Sequence, residues 1–268
     1  MPILKKEIKI LFIGDVFGKP GILEVSKQLK NLKAKYPYDF VIIQAENVSG
    51  RKGLNKTDYE TLKKAGVNVF TLGNHVWSKE DIKLIINNED VIRPANIDKS
   101  YAGEGSRLFD INGVKLRVTS LMGIVFNRLL PPWGEEYANS FFDTMDQILM
   151  NDDSDFHIID FHAETTSEKN VLGIYLDGKV SAVLGTHTHV QTNDARILEK
   201  GTAFITDVGM TGPSNSAIGA NYEEVYQKMR YNTPIRFKVS DNKAQFNAVF
   251  LKLRKNKKHK IQPINILD

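Results

Sequence analysis

The chain has 268 residues, enough for one large α/β domain or two small ones, with 41% hydrophobic and 25% charged residues. It contains no cysteine, which excludes thiolate zinc sites, disulfides and cysteine nucleophiles. The net charge of +4 is local: residues 251–260 (LKLRKNKKHK) hold six of the 36 Lys and Arg residues and no acid, leaving 30 basic against 32 acidic residues elsewhere. That basic C-terminal stretch reads as a solvated tail, with an RNA or anion contact as the alternative. No apolar run approaches the roughly 18 residues that span a bilayer, so no membrane partner is expected and a cytoplasmic location is the default. The opening MPILKKEIKILFIGD is interrupted by Lys5, Glu7 and Lys9 and reads as a first strand, not a signal peptide.

Residues 8–13 form an apolar run ending in Gly14-Asp15, followed by Ile22, Val25, Leu29 and Leu32 at helical spacing. The apolar run from Phe40 to Ile43 ends in Gln44-Ala45-Glu46-Asn47. Asn55 then caps a helix that carries Tyr59, Leu62 and Ala65 on one side. A third strand, Val67 to Leu72, ends in Gly73-Asn74-His75, and Ser78 with Asp81 predicts a capped helix through Ile82, Leu84, Ile85 and Ile86. Unbroken apolar strands alternating with helices predict a largely parallel sheet covered on both faces.

Further strands are predicted over 116–121 and 156–161, a loop at Pro131-Pro132-Trp133-Gly134, and a helix over 138–150. Thr165 and Glu168 form a candidate capping box. Short strands follow at 182–184, 195–198, 203–205, 235–239 and 246–253. There is no repeat, low-complexity tract or linker, so residues 1–268 are expected to form one domain.

Polar residues gather at the strand ends. Asp15 follows the first strand, Glu46 and Asn47 the second, and Asn74 and His75 the third. His162 ends the strand over 156–161, and His187 and His189 follow Ala182–Leu184. Ligand sites of open α/β sheets lie at the carboxyl ends of strands, where five strands here deliver metal-capable side chains. Each residue alone also has an ordinary reading: a helix cap for Asp15, a left-handed turn for Asn74, a core histidine for His162. His157 and His259 lack strand-end placement and are not assigned to the site. Carboxylate, imidazole and amide ligands together suit iron, manganese or zinc better than magnesium or calcium. Two such ions can clamp the oxygens of a phosphoryl group and ionise a water held between them. In an extended segment the i, i+2 spacing of His187 and His189 would aim both rings at one point.

The segments GDVFGKPG (14–21), AENVSG (45–50), GNHVW (73–77), DFHAETTSEK (160–169) and GTHTHVQTND (185–194) resemble the calcineurin-like metallophosphoesterase superfamily, and more narrowly its YmdB-type phosphodiesterases. The resemblance runs over nearly the whole chain. It implies a four-layer α/β/β/α sandwich with mixed sheets and a binuclear metal centre, most often iron, with manganese or zinc as alternatives. It implies that Asp15, Glu46, Asn47 and His189 hold one ion, while Glu46 bridges to a second held by Asn74, His162 and His187. His75 would be the general acid, and the substrate a 2′,3′-cyclic nucleotide or related phosphodiester attacked by a metal-bridging hydroxide. The chain departs from the wider superfamily in having Phe17 where a histidine is usual, and Glu46 where the bridging residue is usually aspartate.

A phosphomonoesterase or nuclease on the same metals remains an alternative, as does a regulatory RNA- or protein-binding module with structural metals. Homo-oligomerisation is left open. Segments 123–134 and 209–221, rich in Gly, Pro, Asn or Ser, are expected to supply substrate-facing residues. Gly14 to Lys19 approximates a Walker A loop, but it is one residue short and Pro20 replaces the hydroxyl, so no P-loop is expected.

Overall fold

A computed structural model describes residues 7–255 and 258–267. The chain first builds β1 (Glu7–Ile13), β2 (Asp15–Val16), α1 (Gly18–Leu32), β3 (Phe40–Gln44), α2 (Lys56–Ala65), β4 (Val69–Thr71) and β5 (Val91–Ile92). It then crosses to β6 (Ser106–Ile111), β7 (Val114–Met122), α3 (Phe141–Leu149), β8 (Phe156–His162), α4 (Thr166–Tyr175), β9 (Ala182–Thr186), β10 (Arg196–Ile197) and β11 (Ala203–Ile205). It ends with β12 (Met210–Pro213), α5 (Tyr222–Tyr231), β13 (Ala244–Arg254) and β14 (Lys260–Leu267).

Two mixed sheets result. The first runs β2-β12-β13-β1-β3-β4-β5, with β14 also paired to β13, and the second runs β10-β11-β9-β8-β7-β6. The parallel series β1-β3-β4-β5 and β7-β8-β9-β11 aim their carboxyl ends at what becomes the site. Strand β1 shows why its sequence is apolar throughout. Ile8, Ile10 and Phe12 enter the layer between the sheets with Val118, Ile158 and Leu184, whereas Leu11 and Ile13 face α1 and α2. A third apolar layer, with Phe161, Leu172 and Met145, seals the second sheet beneath α3 and α4. The molecule is therefore an α/β/β/α sandwich with two mixed sheets, as expected.

Local signals explain several helix boundaries. The Asn55 side chain accepts from Asp58 N at 2.8 Å, and Gly66, in the left-handed conformation, closes α2. Thr165 caps α4 through Glu168 N. The Glu168 carboxylate departs from a capping box, because it accepts from the amides of Ile124 and Val125 at 2.8 and 3.0 Å.

Three sequence expectations are corrected. Ser78 caps no α-helix: residues 76–78 and 80–84 form 3₁₀ turns, with Ile82, Ile85 and Ile86 buried and Leu84 exposed. Residues 235–239 form no strand and make only an isolated bridge between Val239 and Ala220. The basic stretch is not a free tail. Leu251 and Leu253 are buried in β13, and β14 pairs antiparallel with β13 from Lys252↔Lys260 to Gln245↔Leu267. Arg254 bonds Glu7 at 2.6 Å and Lys255 pairs with Asp155, so both charges are partnered by acids. Residues 1–6, 256 and 257 of these segments lie outside the described residues. Glu7 starts β1, so the basic end lies a full strand, roughly 20 Å, from the carboxyl edge. Among the described residues, no helix is long and apolar enough to cross a membrane.

Candidate metal centre

All eight singled-out residues meet at the shared edge of the two sheets. Asp15, Glu46, Asn47, His162 and His189 are buried, and Asn74, His75 and His187 are half-buried. Glu46 Oε1 lies 3.0 Å from His162 Nε2, and Asn74 Oδ1 lies 3.2 Å from the same nitrogen. His187 Nδ1 is 2.9 Å from His162 Nε2. The ligand atoms of Glu46, His162 and His187 fall within 4.8 Å of one another. On the other side, Asn47 Nδ2 is 3.2 Å from both Glu46 Oε1 and His189 Nε2. Asp15 Oδ1 is 3.8 Å from His189 Nε2 and from His162 Nδ1. A half-turn of the Asn47 amide would present its oxygen between the same partners.

His187 and His189 do not converge as extended i, i+2 residues would. Strand β9 ends at Thr186, and the two histidines have φ of 101° and 66°, in the left-handed region. The turn between them sends His187 toward His162 and His189 toward Asn47. It is held from below by Asp207, which accepts from Thr188 N at 3.0 Å and Thr188 Oγ1 at 2.8 Å. Lys169, fully buried, donates to the same carboxylate at 2.8 Å. Lys169→Ala strands this buried charge with its remaining donors and is expected to cost about 3 kcal/mol, the lower end for a broken buried pair. Denaturant unfolding checks this; unchanged stability would show that the pair does not anchor the turn.

Close approach is built into the backbone. A Cβ at Gly73 would stand 2.3 Å from His162 Cδ2 and 2.4 Å from Glu46 Oε2, so only glycine fits beside these two groups.

The electrostatics are those of a cation site. Asp15 Oδ1 is buried without a hydrogen-bond partner, an orphan acceptor that an ion would satisfy. Burial pushes the Asp15 carboxyl up, against the pull of His189 and His162. Burial also opposes ionisation of Glu46, but His162 and then His75 hold it well below the usual carboxylate range. His162 is pushed up to about 9: burial works against its charge, and Glu46, Asp15 and Asp160 overcome that. Buried carboxylates that draw a proton onto a neighbouring imidazole have a surplus of negative charge that a metal ion would also neutralise. His187 is lowered to about 3 by burial and then by His162, which keeps its Nδ1 lone pair free.

The supports of these ligands were not foreseen from the sequence. His187 Nε2 lies 2.9 Å from Glu164 Oε2, which directs Nδ1 into the cluster. His162 Nδ1 has two partners, Thr186 Oγ1 at 3.0 Å and Gln44 Nε2 at 3.1 Å, and Thr186 donates onward to Asp160 Oδ1 at 2.7 Å. A proton on Nδ1 directed at Thr186 leaves Nε2 for an ion. His189 Nδ1 faces the Ile218 carbonyl at 2.9 Å, which frees its Nε2 in the same way and uses a residue of the expected segment 209–221. A ligand histidine commonly has an acid or carbonyl on its second nitrogen, so Glu164 in DFHAE carried a signal once His187 was suspected. Glu164→Ala is expected to weaken metal affinity about 10- to 100-fold with the fold intact. Competition against a metal-sensing chelator measures this, and unchanged affinity would remove Glu164 from the site. His157 and His259 lie elsewhere: buried His157 pairs with Asp152 at 2.7 Å, and Arg254 N donates to His259 Nδ1 at 3.1 Å.

His75 sits beside the ligand cluster, its Nδ1 3.5 Å from Asn74 Nδ2. Its amide donates to Glu46 Oε2 at 2.9 Å, and its ring lines a cavity with Asn74, Trp77 and Trp133. Burial lowers its pKa, and Glu46 partly offsets that.

Comparison with known proteins identifies the family. Residues 11–264 match the family model described as YmdB-like protein. A 2′,3′-cyclic-nucleotide 2′-phosphodiesterase of Bacillus subtilis strain 168 is 41% identical over 266 residues, covering 97% of this chain and 98% of its own. A crystal structure of a novel phosphatase from Mycoplasma pneumoniae superposes with a TM-score of 0.90 at 43% identity, over 97% of this chain and 93% of that one. A hypothetical protein from Thermus thermophilus superposes with a TM-score of 0.89 at 36% identity, over 97% and 99% of the two chains. The chain belongs to the YmdB-like family of the metallophosphoesterase superfamily.

Proposed function

We propose that the protein uses two metal ions, held at the shared sheet edge, to hydrolyse 2′,3′-cyclic nucleotides. It is a hydrolase of phosphoester bonds. The observation that carries the finer reading is the convergence of seven candidate ligand side chains from both sheets, among them Asp15, whose buried Oδ1 has no hydrogen-bond partner, and Glu46, His162 and His187, whose ligand atoms lie within 4.8 Å of one another. Because both sheets contribute, residues 1–268 are read as one functional domain.

Asp15, Glu46, Asn47 and His189 would hold one ion, and Glu46, Asn74, His162 and His187 the other. The donor set of carboxylate, amide and imidazole suits iron, manganese or zinc, and the family resemblance favours iron among them. When bound, the ions neutralise phosphate charge and lower the pKa of the attacking water. Water attacks phosphorus, the bond to the ribose 2′-oxygen breaks, and that oxygen takes a proton from His75. The product is a nucleoside 3′-monophosphate. A buried His75 with a lowered pKa is charged in a smaller fraction of molecules but is a stronger acid when charged.

Metal ligands alone do not choose between a diester and a monoester. Turnover of 2′,3′-cyclic AMP, 3′,5′-cyclic AMP, adenosine 3′-monophosphate and a short RNA decides the substrate. The proposal expects the first to be preferred. Preference for the monophosphate or RNA would replace it with a phosphomonoesterase or nuclease.

A further inference from the structure

We infer that the cavity beside His75 is the subsite for the nucleobase of the substrate, an inference that rests on the cyclic-nucleotide reading above. The cavity has a volume of about 160 Å³ and opens from Asn74 and His75 onto Trp77, Leu130, Pro132 and Trp133. Its aromatic wall is built from rings packed on one another. Trp77 stacks on Tyr101 with centroids 5.4 Å apart and ring planes at 22°, and Trp133 meets both edge-on at 5.9 and 5.4 Å. Tyr101 accepts from Gly134 N at 2.8 Å and donates to Glu135 at 2.8 Å, which fixes the loop that carries Trp133. Trp133 Nε1 donates to the Asn74 carbonyl at 2.9 Å, so the wall is tied to the backbone of a proposed ligand.

Two features favour a base as the occupant. Trp77 Nε1 is buried and has no hydrogen-bond partner among the described residues, and a base offers ring nitrogens and carbonyls as acceptors. The second is position. The 2′-oxygen that His75 would protonate sits on the carbon next to the one bearing the base, so the base falls beside His75. Lys52 and Arg128 also line this cavity, and Arg128 is paired with Glu136 at 3.2 Å. Stacking against aromatic rings accepts any base, so discrimination among bases is expected to be weak.

The chain has two tryptophans and both line this cavity, so intrinsic fluorescence reports its occupancy. The full chain as purified is titrated with adenosine, uridine and methyl β-ribofuranoside. In parallel, kcat/KM is measured for 2′,3′-cyclic AMP and for methyl ribofuranoside 2′,3′-cyclic phosphate, which lacks a base. The inference expects saturable quenching by both nucleosides and none by the methyl riboside. It also expects the base to raise kcat/KM on the order of 5- to 100-fold, the range of one stacked base. No quenching by nucleosides, or equal quenching by the methyl riboside, overturns it. So do equal rates on the two diesters, an outcome that leaves the phosphodiesterase reading standing. Quenching by nucleosides without turnover of any cyclic nucleotide supports the subsite and sinks that reading instead.

Discussion

His75→Ala is expected to keep its full complement of metal ions and to hydrolyse 2′,3′-cyclic AMP on the order of 10²–10⁴-fold more slowly, the usual contribution of a positioned general acid. The ions stay because His75 is outside the ligand cluster, and its contact with Glu46 Oε2 runs through the backbone amide, which alanine retains. The substrate must have a poor leaving group. A nitrophenolate departs without a proton, so a nitrophenyl diester is expected to lose far less. Wild-type turnover of the cyclic nucleotide by this variant would remove His75 from the mechanism. Loss of metal alongside the loss of rate would make it a ligand instead.

Glu46→Gln is expected to be more damaging to the metal centre itself. Glu46 bears on both halves of the site, with Oε1 3.0 Å from His162 Nε2 and 3.2 Å from Asn47 Nδ2. Glutamine keeps the volume but removes the charge and replaces one acceptor oxygen with a donor. Elemental analysis is expected to find metal lost, and turnover to fall on the order of 10³-fold, the loss of several kcal/mol of charge stabilisation. The metal-free variant offers a second readout. His162 is held at about 9 with burial pulling down and Glu46 the largest upward influence, so its pKa is expected to fall in Glu46→Gln. An NMR titration of the ring follows this. A His162 that titrates in the variant as it does in metal-stripped wild-type protein would show that Glu46 does not dominate its charge.

Much of the candidate edge was legible because its side chains lie at strand ends, and strand ends follow apolar runs. Phe40–Ile43 is a continuous apolar segment, and Phe156–Phe161 is apolar at four of six positions; both are buried throughout, so the residues just after them sit at the edge. The wall beside His75 was only half legible: the segment 123–134 was expected to face substrate, yet nothing local relates Trp133 to Trp77 or Tyr101. Their contact spans separate loops and depends on the fold. The basic stretch misled for a related reason. Lys252 and Arg254 alternate with Leu251 and Leu253 at the end of the strand expected over 246–253, but the pairing partner that holds the stretch, β14, lies in the final residues, where no strand was expected. The 3₁₀ turn after Ser78 shows the limit of spacing arguments, since an apolar cluster confined to residues 82–86 fits one turn as well as a helix. The left-handed turn at His187 and His189 likewise escaped the i, i+2 argument, because β9 stops one residue before it.

The most direct test of the account is the rate of 2′,3′-cyclic AMP hydrolysis, followed as metal is restored to chelator-stripped protein and bound ions are counted by elemental analysis. The account predicts negligible turnover without metal and full activity only as the second ion per chain binds. Full turnover by the metal-free protein, or an activity complete at one ion per chain, would contradict it.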